Sequence, residues 1–283
     1  MRRNRLNLMK WLLIISIGLG VYTYFTLPDV GQLKGHYPKV LFPPGGDTVN
    51  VVFVKQRPRG WISLGQIPRH TMGAFIVSED YSFFQHDGFD EAEFSLMLKE
   101  AAFQGKKLRG ASTITQQVAK NVFLNHNRSV LRKGREFFVA KDLEENFSKS
   151  KILEIYFNVV ELGDGLFGIN AASQYYFEKD PRKLNPKESA FLAMLLPNPR
   201  SYSQSFRKRR MTRYATKRVN NIMAKMAHAD YITDRQRDRF ADKQLPFERR
   251  GYRTLTPSPR EGYHSSILIM IKDLIFMAFG LDG

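Results

Sequence analysis

Cysteine is absent from all 283 residues, so neither a disulfide nor a thiolate metal site is available. Histidine is scarce, and the six that occur form no ligand-spaced cluster, so a histidine-held metal centre is not indicated. Acidic residues are also in short supply, at 27 against 44 basic ones. The resulting net charge of +17 favours an anionic partner: a membrane surface, a phosphate-bearing substrate or nucleic acid. No P-loop and no Gly-x-Gly-x-x-Gly opens a helix after a strand, which removes the common phosphate cradles. Internal repeats and low-complexity tracts are missing too. What remains, 43% hydrophobic and 13% aromatic, is enough for a folded core in one or two domains.

Residues 1–10 carry Arg2, Arg3, Arg5 and Lys10, and the run from Trp11 to Pro28 is then uncharged and mostly apolar. A spanning helix needs ~20 residues, with ~17 as the lower limit, so 11–28 reads as a transmembrane anchor. A cleaved signal peptide would share the basic start. It would need a small-x-small site after the run, where Tyr22, Tyr24 and Phe25 stand instead. Positive charge before the span places residues 1–10 in the cytoplasm and the rest of the chain outside it. That location argues against nucleic acid as the anionic partner. Residues 29–55 are rich in Gly and Pro and read as a linker, with one β-prone run at Val49–Val54. From 56 to 245 strands are scarce and helices many, so the fold class is mostly α. The tail, 246–283, holds the apolar stretch Ile267–Phe279, which Lys272 and Asp273 interrupt. It is too short and too charged to span, and reads as a core helix or an interfacial one.

Helix starts are marked locally. Thr113 with Gln116, Asn185-Pro186 with Glu188, and Thr233 with Gln236 each have the form of a cap. Ser150 reads as the cap of Lys151–Asn158, and Arg132 as the opening of another helix. Glu91–Ala102 has an apolar stripe of Phe94, Met97, Leu98 and Ala101, followed by Lys106, Lys107 and Arg109. It fits either a helix resting on an anionic membrane or an ordinary core helix with a solvated end.

The chemistry concentrates between Phe75 and Gln117. An apolar run delivers Glu79 and Asp80, then the aromatics Tyr81, Phe83 and Phe84, then His86, Gly88 and Asp90. A carboxylate among packed aromatics loses water, which raises its pKa toward the range of a general base, and Asp80 as a like charge would push the same way. Ser112, Thr113, Thr115, Gln116 and Gln117 then offer groups that can hydrogen-bond a sugar or a phosphate. Glu136 lies among Arg132, Lys133 and Arg135 and reads first as an exposed helical ion pair. Lys120 and Arg132 could bind phosphate, whereas each alone reads as a solvated charge. His86 alone reads as a structural histidine. Two carboxylates with cations between them and an amide strip suit glycosyl chemistry.

The ordered set of motifs is more specific than any one of them. Glu79-Asp80-x-x-Phe83-x-x-His86-x-Gly88-x-Asp90, Gly110-Ala-Ser-Thr-Ile-Thr-Gln-Gln117 continuing to Lys120-Asn121, Arg132-Lys133-x-x-Glu136 and Lys151-Ile-Leu-Glu-Ile-Tyr-Phe-Asn158 follow one another. Gly165–Phe177 and Leu184–Pro199 come after. From about Ile67 to Tyr202 the chain resembles the family-51 peptidoglycan glycosyltransferases, in the monofunctional form without a transpeptidase domain. In keeping with that form, no Ser-x-x-Lys occurs together with Lys-Thr-Gly.

The resemblance implies a lysozyme-like glycosyltransferase domain with a smaller membrane-associated lobe, at the outer (periplasmic) face of the bacterial inner membrane. It implies two lipid-linked substrates, a growing glycan as donor and lipid II as acceptor. Glu79 matches the general base, Lys120 and Arg132 the donor-diphosphate residues, and Glu136 the assisting carboxylate. Thr113, Gln117, Asn121 and Lys133 match the cleft, and Asp80, Phe83 and His86 the surroundings of the base. A divalent cation, Mg²⁺ or Mn²⁺, shared by Glu136 and the diphosphate is compatible with the family, as are cell-division or elongation proteins as partners. Ala111 in place of a second glycine and Phe157 in place of a leucine depart from the pattern, and the tail from about Arg249 matches nothing in it. Two other readings remain on the residues alone: a peptidoglycan-cleaving, lysozyme-like enzyme, or a non-enzymatic anchored protein that binds cell-wall glycan.

Overall fold

The computed structural model describes residues 10, 11, 18, 20, 26–41, 49–104, 112–124 and 129–249. The tail beyond Arg249, the basic cluster Lys106–Arg109 and, save scattered positions, the anchor stretch lie outside the described residues. Among those described, no helix is long and apolar enough to cross a membrane.

The described chain is mostly helical. Its centre is α7 (Pro186–Leu195), in which every residue is buried. A helix buried all round has no solvent face, so its sequence shows no 3.6-residue period and only its cap marks it. Asn185 accepts from the Lys187 and Glu188 backbone N–H groups, and Glu188 reaches back to the Asn185 N–H. Around α7 pack α1 (Arg69–Glu79) and α10 (Arg213–His228), and α11 (Asp234–Ala241) closes over the end. The Thr71 and Ser189 hydroxyls pair at 2.8 Å across the α1–α7 contact. A second layer joins α3 (Ile114–Phe123) to α4 (Val130–Asn146) and α5 (Lys149–Val159). Between them run α2 (Glu91–Gln104), α6 (Ile169–Phe177), and the short α8 (Pro199–Tyr202) and α9 (Gln204–Arg207).

Two expectations need correction here. The 29–55 stretch is more than a spacer. Asp29 caps a 3-10 turn at Val30–Lys34, whose Val30 and Leu33 are buried. After it β1 (Tyr37–Leu41) pairs antiparallel with β2 (Asn50–Val54), Tyr37 facing Val54 and Leu41 facing Asn50. The hairpin packs on α5, with Tyr37 edge-on to Trp61 at 5.1 Å. The boundary at 245 is too early as well: Phe247 is fully buried, in contact with Phe177, Phe191 and Phe206. A second hairpin, β3 (Glu161–Gly163) and β4 (Leu166–Phe167), follows α5.

The close approach of α1 to the end of α10 depends on one missing side chain. A Cβ at Gly73 would lie 2.1 Å from Cγ of Tyr231. Alanine is the better helix former by about 0.5–1 kcal/mol, yet Gly73→Ala is expected to lower stability by about 1–3 kcal/mol through overpacking. Denaturant unfolding checks this. In a Tyr231→Gly background the sign should reverse, because the 2.6 Å approach to the Tyr231 Cβ goes with the ring and only the propensity gain is then left.

The described side chains of α2 are exposed, Leu96 at 59% and Phe94 with it, while the stripe's Met97, Leu98 and Ala101 lie outside the described side chains. Leu131, Phe137 and Phe138 of α4 are exposed as well, and Phe89 joins the two helices by ring contacts to Phe94 and Phe137. Arg135 of α4 donates to the Thr26 carbonyl, near the end of the N-terminal apolar run.

Candidate functional site

Glu79 is the last residue of α1, and helix packing rather than loop placement fixes it. Its Oε2 accepts from Gln117 Nε2 at 2.9 Å. Gln117 Oε1 in turn accepts from the buried Tyr156 hydroxyl at 3.5 Å, which sets the amide's orientation. Burial pushes the Glu79 carboxyl above its ordinary 4.5, while Gln117, Arg218, Ser78 and Lys120 pull it back. Desolvation is thus the leading cause. Asp80 is turned elsewhere: Oδ1 pairs with His86 Nε2 at 2.8 Å and Oδ2 accepts from the Ile114 N–H at 2.9 Å. Asp80 therefore clamps the end of α1 to the positive N-terminus of α3.

The remaining first-motif residues build that clamp. Phe83 is fully buried and lies under Lys149 Nζ, 4.6 Å from the ring centroid. Lys149 also donates to the His86 carbonyl and to Glu144. Thr113 is the N-cap of α3, accepting from Gln116 N–H and donating to the Gly88 carbonyl at 2.7 Å. Gly88 has φ 83°, and a Cβ there would sit 3.1 Å from the Ala140 carbonyl, so only glycine fits this turn against α4. Asp80, Phe83 and His86 were expected to surround the base and Thr113 to line the cleft; all four are buried or half-buried and bonded within the protein around the end of α1.

On α3, Lys120 lies one turn beyond Gln117, half-buried, with Asn121 beside it. Burial pushes its ammonium below the usual 10.5, Glu136 draws it back up, and Arg132 and Lys133 push it down again. No described residue hydrogen-bonds its Nζ. Glu136 is not an exposed ion pair, as its neighbours suggested, but only 2% exposed. Arg132 donates to its Oε2 at 2.6 Å and Lys133 donates to its Oε1. Lys133 also reaches Ser112 at 2.8 Å. Helix α4 begins at Val130 with Ser129 as cap, two residues before the expected start, which puts Arg132, Lys133 and Glu136 in its first two turns.

A divalent cation on Glu136 does not fit this arrangement. Both of its oxygens are engaged by cations, and its burial leaves no open coordination position. The described carboxylate–histidine group close enough to share an ion is Asp80, His86 and Asp90. Its oxygens already accept from Ile114 N–H, Glu93 N–H, His86 and the Ser82 hydroxyl.

The sequence reading passed over Arg218 and Glu161. Arg218 of α10 draws the Glu79 carboxyl down electrostatically. Glu161 opens β3, accepts from the Gly165 N–H, and feels both Arg200 and Lys120; burial raises its pKa. The absence of any acid between Glu188 and Asp230 was the available clue to Arg218.

The chain matches the family model described as transglycosylase over residues 46–227. It belongs to the transglycosylase family. The biosynthetic peptidoglycan transglycosylase of Shewanella amazonensis is 44% identical over 164 residues, 58% of this chain and 64% of that protein. The protein of the same name from Bdellovibrio bacteriovorus is 40% identical over 171 residues, 60% of this chain and 66% of its own. Penicillin-binding protein 1A of Aquifex aeolicus is 30% identical over 286 residues, 99% of this chain but 38% of that protein. The chain thus spans under two thirds of the length of these curated relatives. The matched range encloses the residues described above from Glu79 to Arg218.

Proposed function

We propose that this chain polymerises peptidoglycan glycan strands by joining lipid II to a lipid-linked growing glycan. The observation that carries the reading is one buried carboxylate, Glu79, hydrogen-bonded by the Gln117 amide and near cations that include Lys120, which has no hydrogen-bond or ion-pair partner among the described residues. A base needs shielding from water, and a diphosphate leaving group needs positive charge. In the step, Glu79 takes the proton of the acceptor GlcNAc 4-hydroxyl. The freed oxygen forms a bond to C1 of the donor MurNAc as the C1–O bond to the diphosphate breaks. The electron pair leaves on undecaprenyl diphosphate, whose charge Lys120 and Arg132 neutralise. Attack opposite the leaving group inverts C1 and gives a β-1,4 link. Glu136 acts indirectly, by holding Arg132 and Lys133 in place. No transpeptidation is part of the proposal.

The lysozyme-like assignment and membrane location belong to the same reading. The exposed apolar side chains of α2 and α4 are joined through Phe89, and Arg135 ties α4 to Thr26, so an anchor at 11–28 would bring them to the bilayer. The catalytic domain would then stand on the outer face of the cytoplasmic membrane, where lipid-linked substrates reach it laterally.

The test is polymerisation of fluorescent lipid II by the detergent-solubilised full chain. Glycan ladders that lysozyme digests are the expected product. A folded protein that makes none, or that shortens finished peptidoglycan instead, would overturn the reading in favour of a cleaving or merely binding protein.

A further inference from the structure

A cavity of about 480 Å³ opens between the loop that precedes α2, the first turn of α2 and α4. Neither Gln117, Lys120 nor Arg132 lines it, so it is separate from the groups around Glu79. Asp87, Asp90 and Glu91 enter it from the loop and α2, and Lys141 from α4. Three acids against one cation reverse the balance of a chain with 44 basic and 27 acidic residues. Asp87, Glu91 and Lys141 are exposed and have no hydrogen-bond or ion-pair partner among the described residues. Such charges are ordinarily just solvated, so a further observation is needed.

His86 supplies it. Its side chain is only 8% exposed and lines the cavity, and its Nδ1 is buried without a hydrogen-bond partner. The other nitrogen, Nε2, lies 2.8 Å from Oδ1 of Asp80. An ionised carboxylate only accepts, so Nε2 carries the proton and Nδ1 of the neutral ring is a bare acceptor. A buried acceptor without a donor is costly, and a ligand N–H recovers that cost. Asp90 adds negative charge, though its oxygens already accept from the Glu93 N–H and the Ser82 hydroxyl. Open acceptors on His86, Asp87 and Glu91 call for a donor that is also positive, a primary ammonium. The apolar lining indicates what carries it. Phe89 and Phe137 line the same cavity with ring centroids 5.5 Å apart. Phe89 continues to the exposed Phe94 at 5.2 Å, and Phe137 to the exposed Phe138 at 5.6 Å. Lys141 follows Phe137 by four residues and shares its face of α4.

We propose that this cavity holds the headgroup of a bilayer phospholipid with an ethanolamine head. The ammonium sits on His86 Nδ1, Asp87 and Glu91, the phosphate on Lys141, and the acyl chains run along Phe89 and Phe137. Ammonium, phosphate and apolar chains then meet acids, a lysine and aromatic rings. The assignment rests on the membrane location proposed above. An occupied cavity also supports the base, because His86 holds Asp80, and Asp80 follows Glu79 directly at the end of α1.

Phosphatidylcholine is the matched control, with the same charge, phosphate and chains but no N–H. The full chain in a neutral detergent is titrated with phosphatidylethanolamine or phosphatidylcholine of equal chain length, and bound lipid is counted by native mass spectrometry. Phosphatidylethanolamine is expected to bind about 10-fold more tightly, the factor that a charge-assisted hydrogen bond supplies. Asp87→Asn combined with Glu91→Gln should bring the two lipids within about twofold of each other. Lys141→Ala should weaken both alike, by about two- to fivefold. All three side chains are exposed, so these variants are expected to melt with wild type. Equal affinity of wild type for the two lipids, or a preference that survives the double variant, would overturn the assignment. Displacement of phosphatidylethanolamine by lipid II would overturn it too, by giving the site to an amine of the substrate. Equally tight binding of glycerophosphoethanolamine, which has no acyl chains, would remove the bilayer lipid as the occupant. Reconstitution into phosphatidylcholine vesicles followed by flotation separates this inference from the reading beneath it. A chain that floats but shows no headgroup preference loses this site alone, whereas one that does not float loses the membrane location and the site with it.

Discussion

Glu79→Gln is expected to lower lipid II turnover about 10²–10⁴-fold, the usual contribution of a positioned general base. The substitution keeps a hydrogen-bond acceptor for Gln117 and the volume of the side chain, so the loss is one of proton affinity rather than shape. The wild-type acid limb carries the same information. Burial raises the Glu79 carboxyl above 4.5, so activity falls as pH drops through that raised value. Its neighbours confine the assignment. Tyr156, pushed well above 10 by its own burial, stays neutral through this range. Stability runs the other way. A carboxyl whose native pKa exceeds its unfolded value stabilises the fold at low pH, and that contribution is lost as pH rises through the native value. At neutral pH ionised Glu79 therefore weakens the fold, and Glu79→Gln should raise Tm there, with a difference that shrinks below about pH 4.5. A variant that polymerises at the wild-type rate, or melts earlier at pH 7, would remove Glu79 as the buried base.

Local grammar made much of this fold legible. The capping boxes at Thr113 and Gln116, Asn185 and Glu188, and Thr233 and Gln236 are all present. Each is a contact between residues three apart, so nothing distant can alter it. Where two candidates compete, local grammar fails. Ser148, not Ser150, caps α5, accepting from Lys151 N–H, because that start turns Ile152, Leu153 and Ile155 into the core. The first strand pair was half missed because β1 lies among glycines and prolines, and its strand character comes from its pairing with β2. The site divides in the same way. Glu79, Gln117 and the α3–α4 cations sit within a short stretch whose spacing shows them together. Glu136 looked solvated because cations surround it in sequence, whereas packing buries it and makes those cations its only shield from an unpaired charge. Arg218 and Glu161 reach the cleft from elements that only the tertiary fold brings there.

Lys120→Met is expected to lower kcat/KM about 10²–10³-fold, the scale on which one preorganised group facing developing charge contributes. The reason is geometric before it is electrostatic. Arg132 and Lys133 are both committed to Glu136, while Lys120 is half-buried and has no hydrogen-bond partner among the described residues. It is the cation free to follow charge onto the leaving diphosphate. Burial lowers its pKa from 10.5, Arg132 and Lys133 lower it further, and Glu136 and Glu161 oppose them. Activity should therefore fall on the alkaline side as pH rises through that lowered value. Lys120→Arg keeps a charge throughout and should move the alkaline limb upward even if its fork fits the site less well. A lysine whose native pKa lies below its unfolded one weakens the fold while charged, and the penalty disappears as pH rises past both values. Lys120→Met should accordingly melt later than wild type at pH 7 while polymerising far more slowly. Should the arginine variant leave the alkaline limb where it is, or the methionine variant keep near-normal kcat/KM, the diphosphate's charge must be met elsewhere. Arg132 would then have to exchange Glu136 for the substrate during the reaction, and Glu136→Gln would speed rather than slow that exchange.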